Sequence, residues 1–127
     1  MTGRKSSVLL IDDVAATRQA LAAVLQQRGY QTIEADGGES GLRLLRECAA
    51  DVGVVVLDLL MPGANGWWFR EQQLRDPNVA AVPVIVFTAA AKPEVVKYTL
   101  KIDDVLFKPV AVDDLLDAIA RHMSAVR

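Results

Sequence analysis

Four short stretches of this chain are apolar from end to end: Val8–Ile11, Val52–Leu57, Val82–Phe87 and Val105–Phe107. Uninterrupted rather than alternating apolarity marks strands covered on both faces, the condition met in parallel sheets. A fifth stretch, Tyr30–Ala35, carries Gln31, Thr32 and Glu34 and suits a sheet edge. Between these stretches the apolar residues recur at helical spacing. Ala20, Leu21, Val24 and Leu25 share a face of Ala15–Arg28, ahead of Gly29. Leu42, Leu45 and Cys48 do so in Glu39–Cys48, and Leu115, Leu116, Ile119 and Met123 in and just beyond Asp113–His122. Gly66–Arg75 is a third helix, closed by Asp76-Pro77, and Pro93–Leu100 a short fourth one weakened by the β-branched pair Val95-Val96.

Strands and helices thus alternate five times. Parallel neighbours cannot be joined by tight hairpins, so this order predicts a three-layer α/β sandwich with right-handed crossovers. No repeat or linker interrupts it, and the reading is a single domain over 1–127 with an ordered core at about 7–123. A chain 52% hydrophobic and 24% charged can bury such a core, which excludes the disordered class. Its net charge of −2 gives no basic footprint for direct nucleic-acid binding. Its lone cysteine, Cys48, fits a reducing compartment, and no apolar stretch approaches the ~20 residues that span a bilayer. A cytoplasmic protein without membrane contact is expected.

The polar residues at the strand ends are the informative ones. Asp12 and Asp13 follow the first strand, Asp58 the third, Thr88 the fourth and Lys108 the fifth. The C-terminal ends of parallel strands line one edge, where ligands bind. Three converging carboxylates repel one another unless a cation joins them, and an all-oxygen set suits Mg²⁺ better than Zn²⁺. A carboxylate is also a nucleophile toward phosphorus, and a lysine with a hydroxyl can neutralise and hydrogen-bond a transferred phosphoryl group.

Asp12-Asp13, Asp58 with Met61-Pro62-Gly63-Ala64-Asn65-Gly66, Thr88-Ala89 and Lys108-Pro109 together resemble the receiver (CheY-like) domain of bacterial response regulators. The steps of 45, 30 and 20 residues from Asp13 to Asp58, Thr88 and Lys108 are close to that family's. The resemblance implies a flavodoxin-like, doubly wound sheet of order 2-1-3-4-5 with five helices, and a two-component phosphorelay. In that reading Asp58 accepts a phosphoryl group from a sensor histidine kinase or phosphotransfer protein, and the domain then signals to a downstream protein target as a monomer or weak dimer. Asp12, Asp13, Asp58 and the Leu60 backbone carbonyl would hold Mg²⁺, or Mn²⁺, with Asp12 acting mainly through water. Thr88 and Lys108 would contact phosphoryl oxygens, and Pro109 would follow a cis bond.

The chain also departs from the family. Val105 stands at the switch position where receivers often carry Tyr or Phe, and Phe107 is expected to point to the opposite face. Lys101 replaces the common Gly after the fourth helix, so ordering and disordering of that helix is the expected substitute for the aromatic switch. Trp68 is expected to be more exposed than Trp67 and Phe69. His122 with Arg121 reads as a helix-dipole partner, and Lys92, Lys97 and Lys101 as a solvated edge. Two alternatives remain in view: a pseudo-receiver that only binds proteins, and an aspartyl-nucleophile phosphatase. The latter wants an Asp two residues beyond its nucleophile, where this chain has Leu60. In the receiver reading the domain is not an enzyme beyond assisting its own phosphorylation and slow dephosphorylation.

Overall fold

A computed structural model describes residues 6–89, 93–102 and 104–124. The elements run β1 (Ser7–Ile11), α1 (Ala15–Gln27), β2 (Gln31–Ala35), α2 (Gly38–Glu47), β3 (Val52–Asp58), α3 (Gly66–Arg75), β4 (Val84–Thr88), α4 (Pro93–Leu100), β5 (Asp104–Phe107) and α5 (Val112–Ser124). The five strands form one parallel sheet in the order β2-β1-β3-β4-β5. This is the doubly wound, flavodoxin-like order that the resemblance implies, built on the parallel α/β layering expected from the alternation of elements.

The core explains why the strands are apolar throughout. Leu9, Ile11, Val55, Leu57 and Val86 turn to one face and pack on Leu42 and Leu45 of α2, Phe69 of α3 and Val96 and Leu100 of α4. The alternate residues Val8, Leu10, Val54, Val56, Ile85 and Phe87 turn to the other face, against Ala22 and Leu25 of α1 and Leu115, Leu116, Ala118 and Ile119 of α5. Both faces are covered, so neither position of the two-residue period is free to be polar. Burying each of the valine, leucine, isoleucine and phenylalanine side chains among them contributes roughly 1.5–3 kcal/mol.

Several local expectations need correction. β4 begins at Val84, because Pro83 has no N–H for the ladder; its carbonyl still accepts from Val55 N–H at 2.9 Å. On α1 it is Ala22, not Ala20, that is buried. Trp68 is half-buried like Trp67, and both pack against the first cluster, while Phe69 is fully buried. Arg121 and His122 do stand in the last turn of α5, and both also reach across to Asp104 at the start of β5, a specific partner the dipole reading did not include. Lys97 and Lys101 are exposed, and Lys92 lies outside the described residues.

Arg70 and Gln73 of α3 are buried, although their residue types mark them for the surface. The Arg70 guanidinium donates to the carbonyls of Leu100 (2.9 Å) and Lys101 (3.0 Å) and to Gln73 Oε1 (2.8 Å). The Gln73 amide nitrogen donates to the carbonyls of Val79 and Val82, each at 3.0 Å. Carbonyls at a helix C-terminus have no intrahelical partner, and here a side chain of the neighbouring helix supplies one. Just beyond α4, Lys101 has φ 56°, in the left-handed region where a glycine usually sits. Burial pushes the Arg70 guanidinium below its ordinary pKa, but its base strength keeps it charged.

Candidate functional site

The site lies at the C-terminal ends of β1, β3, β4 and β5. Asp12 is the residue after β1, and it is held by two backbone contacts and one through its side chain. Its N–H donates to the Ala35 carbonyl (3.1 Å), its carbonyl accepts from the Arg18 guanidinium (2.7 Å), and its Oδ1 accepts from Val14 N–H (2.9 Å). Its Oδ2 is buried without a hydrogen-bond partner among the described residues. Asp13 follows and is exposed. Asp58 closes β3, 2% exposed, and its Oδ1 accepts from Leu60 N–H at 3.3 Å. Carboxylate oxygens of Asp12, Asp13 and Asp58 lie within 4.8 Å of one another.

Opposite them stands Lys108, whose Nζ is 3.4 Å from Asp58 Oδ2 and 4.9 Å from the centre of the Phe87 ring. The Lys108 N–H donates to the Thr88 carbonyl at 2.9 Å, tying the ends of β4 and β5 together, and the Lys108–Pro109 bond is cis. Thr88 is fully buried at the end of β4. Leu60 sits in the loop after β3 with its side chain half exposed. The five candidate polar residues therefore share one edge of the sheet.

Charge is unevenly balanced in this pocket. Burial pushes the Asp58 carboxyl above its ordinary pKa; Lys108 pulls it back, Asp12 adds to the rise, and the Leu60 amide again opposes it. A carboxylate whose folded pKa is raised binds its proton more tightly in the folded state. Its contribution to stability is complete below the unfolded pKa of about 3.9 and is lost as pH rises through the raised value. In chelator-treated protein at pH 7, Asp58→Asn is therefore expected to raise Tm, on the order of a few degrees, with the gain vanishing toward pH 4. Thermal unfolding across that range checks it.

The loop that carries Asp58 is held by close backbone approach. Gly66 N–H donates to the Leu59 carbonyl (3.0 Å), and a Cβ on Gly66 would stand 2.7 Å from Leu59 Cα and 2.9 Å from the Asp58 carbonyl oxygen. Gly66→Ala is expected to destabilise the fold by about 1–3 kcal/mol and to displace Asp58; urea unfolding gives the first and amide chemical shifts at Leu57–Leu60 the second. Asn65 caps α3 by accepting from Trp68 N–H at 3.1 Å, which sets where the loop ends.

Two parts of the site were not foreseen from the sequence. Arg18, which also pairs with Glu34 at 3.0 Å, orders the Asp12 loop from α1; nothing in its helical spacing marks that role. Phe107 is the other. Val105 packs with the first core cluster and Leu106 with the second, so alternation returns Phe107 to the face of Val105, not the opposite one. Phe107 is the β5 neighbour of Thr88 and is 39% exposed.

A sequence model of the response regulator receiver domain matches residues 8–120. The chain belongs to that family. This receiver is 35% identical over 115 residues to Protein PilH of Pseudomonas aeruginosa, covering 88% of this chain and 93% of PilH. It is 29% identical over 121 residues to the phosphate regulon transcriptional regulatory protein PhoB of Escherichia coli, covering 94% of this chain and 52% of PhoB. The receiver thus spans about half of that regulator's length. Among solved structures, the receiver domain of Francisella response regulator 1452 superimposes with a TM-score of 0.84 at 27% identity, over 96% of this chain and 99% of that one. Chemotaxis protein CheY4 of Vibrio cholerae gives a TM-score of 0.82 at 25% identity, over 92% and 98%. Two-component signalling is the setting in which this receiver acts.

Proposed function

We propose that Asp58 is the phosphoryl acceptor of this receiver. The observation that carries the reading is a buried carboxylate with a lysine ammonium at 3.4 Å on one side and two further carboxylates within 4.8 Å on the other. In the reaction an Asp58 Oδ attacks phosphorus, an oxygen–phosphorus bond forms, and the donor's own bond to phosphorus breaks, the donor leaving with the electron pair. A phosphohistidine of a sensor kinase or phosphotransfer protein is the proposed donor. Lys108 then faces the added negative charge, and Thr88, buried at the end of the neighbouring strand, is proposed to hydrogen-bond a phosphoryl oxygen. Positioning and charge neutralisation are the whole of the catalysis required.

A divalent cation fits the other side. The donor set is all oxygen, and the buried Asp12 Oδ2 has no hydrogen-bond partner among the described residues. Asp12, Asp13, Asp58 and the Leu60 backbone carbonyl are the groups proposed to hold Mg²⁺, with Mn²⁺ an alternative. When bound, the ion offsets the carboxylate charge and the charge of the incoming phosphoryl group.

The modified domain is proposed to signal by contacts with a downstream protein, and to do no chemistry beyond its own phosphorylation and slow dephosphorylation. No helix among the described residues is long and apolar enough to cross a membrane. Incubation with acetyl phosphate and Mg²⁺, followed by intact-mass and peptide analysis, tests the reading. One added phosphate on Asp58 is expected. No incorporation at any Mg²⁺ concentration would leave the pseudo-receiver reading in its place.

A further inference from the structure

A groove of about 580 Å³ runs between α3 and α4, away from the phosphoryl site. Its walls include Trp67 and Trp68 from the first turn of α3 and Leu74 from the last, with Leu100 and Lys101 opposite. It is an open groove, wide enough for a chain segment laid along it rather than for a small molecule enclosed by it. Leu74 is 40% exposed and both indole rings are half-buried, so apolar surface remains accessible along the groove.

The charge around it is opposite to that of the molecule. Arg70, Arg75 and Lys101 line the groove against one acid, Glu71, in a chain of net charge −2. Glu71 is engaged by Arg75 at 3.1 Å, and Arg70 is spent on the carbonyls beneath the floor. Lys101 makes no ion pair among the described residues and projects from the left-handed turn at the groove's end. An occupant must therefore be apolar along its middle and negative at its flank. A nucleic acid fits poorly, since a polyanion needs a row of cations and has no counterpart for Leu74.

We propose that the α3–α4 groove is a docking site for an acidic amphipathic segment of a partner protein, its apolar residues seated on Trp68 and Leu74 and its carboxylates facing Lys101. Tryptophan and arginine are the residue types that dominate such interfaces. The site touches the turn that Arg70 fixes, so docking is sensitive to where the end of α4 stands. It does not depend on phosphoryl transfer at Asp58, and is tested on unmodified protein.

Trp67 and Trp68 are the only tryptophans of the chain, so their emission reports on the groove directly. The full chain is titrated with three synthetic helical peptides: Leu at i and i+4 with Glu flanks, the same Leu pair with Lys flanks, and the Glu flanks with Ser in place of Leu. Saturable emission change is expected with the first, weaker by about tenfold or more with the other two and in raised salt. Fluorescence anisotropy of the labelled first peptide is then compared for Lys101→Glu and Leu74→Ser, both at exposed positions, with circular dichroism confirming the fold. Each variant is expected to weaken binding by about tenfold. No binding of any peptide at millimolar concentration, equal binding of the Lys-flanked peptide, tighter binding of single-stranded DNA, or no effect of either substitution would each overturn the proposal.

Discussion

Asp58→Asn is expected to eliminate phosphate incorporation from acetyl phosphate, while leaving a protein that unfolds cooperatively and no less readily resists heat. The amide keeps the size and the Leu60 hydrogen bond of the carboxylate but carries no charge and is a poor nucleophile toward phosphorus. Asp13 is exposed and Asp12 is held by Val14 N–H, so neither has the Lys108 ammonium that receives the transferred charge beside Asp58. Lys108→Ala gives the companion result: labelling persists at Asp58 but slows by about 10²–10³, the usual consequence of removing one charge-stabilising group. Radiolabel or mass-shift time courses on both variants check this. Full labelling of Asp58→Asn at another residue would remove Asp58 from its proposed role.

The second large effect is structural. Gln73→Leu preserves volume but leaves the Val82 carbonyl and one arm of the Arg70 guanidinium without a partner among the described residues, and the Val79 carbonyl with the Val82 N–H alone. Each orphaned buried group costs about 1–3 kcal/mol, more where it is charged. A loss of about 3–5 kcal/mol is expected, a large part of the stability of a domain this size. The damage is also expected to spread to α4, because Arg70 holds the Leu100 and Lys101 carbonyls. Urea unfolding measures the first effect. Amide exchange over Glu94–Lys101, faster in the variant than at β1, measures the second. Unchanged exchange there would mean that α4 is held by Val96 and Leu100 packing alone.

How much of this was legible follows from which residues do the work. The sheet was, because a strand buried on both faces has to be apolar at every position, and Val8–Ile11 or Val52–Leu57 admit no other reading. The site was, because its polar residues interrupt those strands at their ends, where the resemblance gave them roles. The Arg70–Gln73 network was not. Gly66, Phe69, Arg70 and Gln73 form the buried stripe of α3 at helical spacing, but two of the four are polar, and tryptophans stand beside them. Residue type pointed outward where position pointed inward. The pairing of His122 and Arg121 with Asp104 joins residues 17 and 18 positions apart, and only the packing of α5 beside β5 makes them neighbours. Phe107 was misplaced by a parity slip: two residues along a strand restore the same face.

The strand order also decides when the site can exist. Asp12 and Lys108 come from opposite ends of the chain, and β5 reaches the sheet edge only by pairing with β4, which pairs with β3, which pairs with β1. The carboxylates and the lysine come together only when all four of these strands are in the sheet. A molecule whose β5 has not yet docked therefore holds Asp58 without its ammonium, and in the proposed reading it takes up phosphate only as slowly as Lys108→Ala. The initial rate of phosphate uptake would then count the molecules that have finished folding.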